Sequence, residues 1–273
     1  MRTPTGREFE AASLGAWPAL ESIRIGDWVL RFSAGFTRRA NSVQTGRGAG
    51  PGTELKRALL ACEEEYRGRG LRPIFKIVPW TEPISLDRKL AARGYGAEGE
   101  VCVRAVRAVD LLGGRAAKRG LKISADVDES WVEAMTGFYP RLLGHKRIFE
   151  KIIDRIQGPR ALATIRRNGV AVAGGMAVLG GALVGLFDLA TDERMRRQGL
   201  GRDLVQGLAA WGAAGGARWA YLQVVDRAAN VSTLQIGYAD GVAASELRRN
   251  LDGMLEQRCG LHRGWGQRNP RSR

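Results

Sequence analysis

The residues best suited to chemistry stand in one run, Arg196-Arg197-Gln198-Gly199-Leu200-Gly201-Arg202. Directly after it, Leu204, Leu208 and Trp211 recur at helical spacing, so a helix begins at the glycines. The N–H groups of a first helical turn have no acceptor within the helix, and the positive end of the dipole faces outward there. Gly199 and Gly201 let a ligand approach the backbone, while Arg196, Arg197 and Arg202 add cationic donors around the same point. The chemistry expected of this assembly is the holding of a phosphorylated ligand, and a pyrophosphate fits. Taken alone, the run is equally a glycine-containing helix start on a basic surface.

The elements that must position this run surround it. Upstream, ALATIRR, VAVAGGMAVL and ALVGLFDLA are strands joined by tight turns at Asn168-Gly169 and Gly180-Gly181, an antiparallel meander. Downstream, ARWAYLQVV is a further strand. Before the meander, LKISA is a strand, and Asp128 caps a helix predicted to reach Leu143 with Trp131, Met135, Phe138 and Leu142 on one face. A second helix is expected from about Lys146 to Ile156, ended by Gly158-Pro159.

The first part of the chain reads as a β-β-α-β-α-β unit over residues 21–106. ESIRIGDWVLRF forms two strands with a turn at Gly26-Asp27, and TGRGAGPG (45–52) is a loop without the GxxxxGK[ST] phosphate-cradling pattern. Thr53 starts a helix carrying Leu55, Leu59, Cys62 and Tyr66 on one side; PIFKIVPW is a strand, Ser85 caps LDRKLAARGY, and EGEVCVRAV is another strand. DLLGGRAAKRG suits a linker cut near Gly114. The expected domains are 1–114, 115–241 and a basic tail, 242–273, that begins like a helix and ends without periodicity.

Among 273 residues, Lys+Arg 43 against Asp+Glu 28 gives a net charge of +15, which favours polyanionic partners without naming one. Cys62, Cys102 and Cys259 lack CxxC spacing, and His145 and His262 are far apart, so neither a zinc cluster, a disulfide framework nor a histidine triad is supported. The N-terminus has no apolar secretory core and no run is long enough to span a bilayer. The expectation is a cytoplasmic protein, monomer or homodimer, with no metal and no membrane.

The pattern [RQ]xxGx[GA], here Arg196-Arg197-Gln198-Gly199-Leu200-Gly201 after a meander, followed by an amphipathic helix and the strand ARWAYLQVV, resembles the GCN5-related N-acetyltransferase superfamily. DWVLRFSAGFTRRANSV, IFKIVPW and LDRKLAARGY resemble the degenerate first half of its bacterial tandem members. The resemblance implies an α/β (α+β) fold with a mixed central sheet whose strands splay, preceded by a degenerate N-terminal domain of the same kind. It implies acetyl-CoA as acyl donor and an amine as acceptor. Carried over by position, the backbone from Gln198 to Arg202 would hold the pyrophosphate, and Leu189, Ala190 and Thr191 would lie along pantetheine and the acetyl group. Asn230 matches the family's cofactor-contacting Asn. Family members then continue as xxALxLYxxLGF, whose Tyr can protonate the departing thiolate; here the text runs Asn230-Val-Ser-Thr-Leu-Gln-Ile-Gly-Tyr238. It is either about one helical turn short and without that Tyr, if Ile236-Gly237-Tyr238 matches LGF, or ungapped with Gly237 at the Tyr position and Tyr238 one place late, and either alignment weakens the standard general acid.

Amine acetylation needs a proton acceptor for the nucleophile and a donor for the thiolate. Asp188, near the end of the strand before the glycine run, is the candidate base, and Tyr238 the residual candidate acid. A backbone N–H near Ala190 is expected to meet the developing oxyanion. Three functions remain open at this point: an N-acetyltransferase, an acyl-CoA-binding protein without turnover, and a basic nucleic-acid-binding module.

Overall fold

The computed structural model describes residues 2–45, 53–112, 120–225 and 259–267. The described residues divide into two compact units, one built from 2–18 and 103–224, the other from 19–102 and 260–267.

In the first of these units the meander forms as expected. Strands β7 (Arg160–Arg167), β8 (Val170–Gly180) and β9 (Leu183–Thr191) pair antiparallel. Asn168 and Gly169 take φ of 50° and 80°, the pair of positive values that a two-residue turn matching strand twist requires. β6 (Leu121–Ser124) pairs antiparallel with β7, and β10 (Trp219–Val225) joins β9 in parallel, giving the order β10-β9-β8-β7-β6. The crossover from β9 to β10 is helix α6 (Leu200–Ala214), which lays Leu200, Leu204 and Leu208 on Val184, Leu186 and Ala220 of the sheet in one buried cluster. Helix α4 (Glu129–Phe138) packs against β7, β8 and β9. Asp128 caps it, accepting the Trp131 N–H at 2.7 Å.

Sequence periodicity missed helix α1 (Gly6–Ala16), which opens on a capping box: Thr5 Oγ1 accepts the Glu8 N–H, and the Glu8 carboxylate accepts the Thr5 N–H at 2.7 Å. Its Phe9 ring lies 5.4 Å from that of Tyr221 on β10. The helix expected through Leu143 instead stops at Phe138, because Pro140 has no N–H to extend the ladder; a 3-10 turn, Pro140–His145, leads into α5 (Lys146–Asp154).

In the other unit, β1 (Glu21–Ile25) and β2 (Trp28–Phe32) form the expected hairpin, followed by β3 (Val43–Gln44) and β4 (Ile74–Ile77), with α2 (Thr53–Gly68) and α3 (Leu86–Ala92) between and after them. Trp28, Leu30, Phe32, Leu55, Leu59, Tyr66, Phe75 and Leu90 share its core. Ser85 precedes α3 but its side chain makes no capping bond, since its backbone is already in the helical region (φ −80°, ψ −1°). β5 (Tyr95–Arg107) is longer than its apolar segment, and the division between units falls within it. One inference about the tail is corrected. Cys259–Gln267 is a strand, β11, antiparallel to β4 with Trp265 opposite Phe75. Backbone pairing sets this strand, and CGLHRGWGQ carries no alternation to reveal it. The loop residues 46–52 and the proposed linker point at Gly114 lie outside the described residues, as do Asn230, Tyr238 and the start of the tail. No helix among the described residues is long and apolar enough to cross a membrane.

Candidate functional site

β9 and β10 pair at Leu183 with Trp219, Val184 with Ala220, and Gly185 with Tyr221. Both strands continue, β9 to Thr191 and β10 to Val225, without further paired residues, so they part along these lengths. The parting starts just before an irregularity on the other edge of β9. Gly174 stands opposite Ala190 and Met176 opposite Phe187, so Gly175 alone faces both Asp188 and Leu189. This is a β-bulge, which bends the strand that carries the extra residue. Asp188 absorbs the bend at φ 48°, a left-handed conformation that Asp tolerates better than most residues. Gly175 suits the same geometry, because a Cβ there would lie 2.8 Å from Leu189 Cδ2 and 3.2 Å from Leu189 Cα, so the bulge would have to give by a few tenths of an ångström.

The ladder also fixes where the backbone groups of β9 point. Asp192 N–H donates to Val172 O at 2.9 Å. In an antiparallel ladder bonded pairs alternate with unbonded ones, so the pair Gly174 and Ala190, two steps along, is bonded as well. The Ala190 N–H therefore faces β8. Leu189 C=O, in the same trans peptide, and Thr191 N–H, one residue on, face the opposite edge, toward the gap left by β10. The expected oxyanion donor near Ala190 is thus to be sought at the neighbouring amide of Thr191. Leu189 O is already engaged: the Tyr139 hydroxyl donates to it at 3.0 Å.

From Thr191 the chain makes a short turn in which the Asp192 carboxylate accepts the Arg194 N–H at 2.8 Å and Glu193 pairs with Arg196 at 2.8 Å. Arg197 takes φ 63° and is exposed, as are Gln198 and Arg202. Gly199 then sits at the N-cap of α6 with φ 77°, and no side chain caps the helix. Asp203 N–H bonds to Gly199 O at 2.9 Å, so the amides of Leu200, Gly201 and Arg202 come before the first helical bond. Gly201 faces the end of β9: a Cβ on it would meet only Thr191 Oγ1, at 3.7 Å. Leu200 is 3% exposed, so its side chain belongs to the core and only its backbone can serve a ligand.

The structure thus brings together Leu189, Ala190 and Thr191 at the strand end with the run from Arg196 to Arg202 at the helix start. Asp188 lies in the bulge beside them with its Oδ2 buried. Tyr139 was missed by sequence reasoning, and Trp131 was seen only as a core residue. The signal that could have found their target is the Gly174-Gly175 pair inside a strand, a mark of a bulge or of close approach.

Residues 3–241 match the protein-family model described as "Probable histone acetyltransferase Rv0428c C-terminal". The chain belongs to the GCN5-related N-acetyltransferase (GNAT) superfamily. It is 28% identical over 229 residues to "Uncharacterized N-acetyltransferase YobR" of Bacillus subtilis, covering 80% of this chain and 87% of that protein. Its fold is that of a GCN5-related N-acetyltransferase from Kribbella flavida, with TM-score 0.62 at 17% identity over 98% of this chain and 97% of that one. A tandem GNAT protein from the clavulanic acid biosynthesis pathway also shares it, with TM-score 0.59 at 12% identity over 97% and 89%. The mixed α/β GNAT fold expected from the sequence is therefore established, and with it the acetyltransferase class.

Proposed function

We propose that this GNAT member transfers an acetyl group from acetyl-CoA to an amine. The observation that carries the proposal is the divergence of β9 from β10 after three paired residues, which ends at an uncapped, glycine-flanked helix start ringed by arginines. An elongated donor with a pyrophosphate in its middle matches both features. The amides of Leu200, Gly201 and Arg202 would bind the pyrophosphate, with Gln198 and Gly199 leading into them. Arg196, Arg197 and Arg202 would add charge-assisted contacts. The pantetheine arm would run along the free edge of β9 at Leu189, Ala190 and Thr191, with Asn230 contacting it from beyond the described residues.

Acetyl-CoA supplies the thioester carbonyl that the amine nitrogen attacks. In this reading Asp188 accepts the proton that the amine loses as its N–C bond forms, directly or through water. The Thr191 N–H lies on the edge where negative charge develops on the carbonyl oxygen. Tyr238 is assigned the proton that neutralises the departing thiolate once the C–S bond breaks. The unit that begins at residue 19 is assigned a supporting role as the degenerate tandem half, and the sequence division 1–114, 115–241 and 242–273 is kept as the working domain proposal.

Free thiol released from acetyl-CoA by the full chain, with and without a panel of primary amines, tests the proposal. Amine-dependent release with acetylated product is expected. Tight donor binding with no release from any amine favours an acyl-CoA-binding protein instead.

A further inference from the structure

We propose that Tyr139 is a positioning residue for acetyl transfer, holding the bulge peptide between Leu189 and Ala190; this rests on the acetyl-transfer reading above. Two side chains of one helical segment reach the backbone on either side of the bulge. Trp131 Nε1 donates to Gly175 O at 3.4 Å, and the Tyr139 hydroxyl donates to Leu189 O at 3.0 Å. Gly174 lets the helix come close: a Cβ on it would lie 3.0 Å from Met135 Sδ and 3.1 Å from the Phe138 ring. Tyr139 is itself fixed, 6% exposed, with its N–H bonded to Met135 O at 2.9 Å as α4 ends.

The consequence follows from peptide planarity. Leu189 C=O and Ala190 N–H share one rigid plane, so a bond that fixes the carbonyl on the free edge fixes the amide toward Gly174 on the other. A hydrogen bond accepted by the carbonyl also polarises the amide and strengthens its own bond. Asp188, in a left-handed conformation, is a strained position that persists only where surrounding contacts hold it. Tyr139 therefore holds the register of the bulge, and through it the aim of the Thr191 N–H and the place of Asp188.

The test compares the full chain with Tyr139→Phe, which keeps the ring and removes only the hydroxyl. Three quantities are read: amide hydrogen exchange at Ala190 in the free protein, the acetyl-CoA Kd by calorimetry, and the rate of thiol release at saturating acetyl-CoA, in water alone and with the amine panel. Loss of one neutral hydrogen bond corresponds to about a fivefold effect. The expected result is Ala190 exchange faster by about that factor and the saturating rate lower by at least as much, with Kd within about twofold. Unchanged exchange at Ala190 overturns the proposal, as does a saturating rate that holds while exchange rises. A parallel fall of affinity, rate and unfolding midpoint overturns it too, since a purely structural role would give that pattern. If the wild-type chain neither binds acetyl-CoA nor releases thiol, the transfer reading itself fails, and the exchange comparison still reports separately on whether Tyr139 holds the bulge.

Discussion

Replacing Gly201 by Leu separates ligand binding from folding, because the structure predicts opposite signs for the two. Gly201 is the second residue of α6, and among the described residues a Cβ on it would have only Thr191 Oγ1 close by, at an ordinary contact distance of 3.7 Å. None of those residues has to move for the Cβ, and Leu ranks just below Ala as a helix former. Ala is favoured over Gly in a helix by about 0.8–1.0 kcal/mol in the interior, and a part of that applies in the first turn. The unfolding midpoint should therefore hold or rise by about 1–2 °C. The same Cβ tilts toward the helix N-terminus, where a phosphate must sit to reach the backbone amides. The pattern [RQ]xxGx[GA] admits a methyl here, but the larger Leu side chain blocks the approach, and losing one hydrogen bond to a charged oxygen costs about 1.5–3 kcal/mol, a tenfold to hundredfold rise in Kd for acetyl-CoA. Calorimetric titration and thermal unfolding of the two proteins provide both readings. Gly199→Ala is the contrast: at φ 77° a side chain costs about 1–2 kcal/mol, so here stability falls as well. Unchanged affinity in a folded Gly201→Leu protein would refute the placement of the pyrophosphate at this helix.

Other expectations concern single residues. Asp188→Asn keeps a residue that accepts the left-handed conformation while removing the base; donor affinity should stay within about twofold while amine-dependent thiol release falls at least about a hundredfold, and release at the wild-type rate would exclude Asp188 as base. Cys62 is buried, and burial with the nearby Glu63 and Glu65 pushes its thiol up to about 12. At pH 8 its thiolate fraction is on the order of one in ten thousand, so a thiol reagent should leave it unmodified in the folded chain and label it in denaturant. Glu8 is held at about 2 by its bond to Arg2 and by the Thr5 N–H and hydroxyl. Its carboxylate thus binds protons less readily folded than unfolded, so its contribution is complete above the ordinary carboxylate range and is lost as pH falls toward 2. Glu8→Gln should lower the unfolding midpoint at pH 7 and match wild type near pH 2, and equal midpoints at both pH values would mean that the charge on Glu8 adds nothing.

The parts of the fold with a strong period were legible in the sequence. The apolar runs from Arg160 to Thr191 and the turn at Asn168-Gly169 specify the meander, and the glycines before Leu204 and Leu208 specify the start of α6. Helix α1 carried a readable signal in Thr5 and Glu8, and was missed because its apolar face is short. The bulge is different in kind: one extra residue between Phe187 and Ala190 leaves the apolar pattern almost intact and shows only when register is counted against β8. The bond from Tyr139 to Leu189 joins positions 50 apart, and no local pattern encodes it. β11 is specified by pairing with β4, since glycines interrupt any alternation in its own text.

The central claim is that the parted strands and the α6 N-terminus together hold acetyl-CoA, and a calorimetric titration of acetyl-CoA into the full wild-type chain tests it most directly. The account predicts saturable one-to-one binding, reversed by free CoA. Absence of binding in a sample that unfolds cooperatively would contradict it.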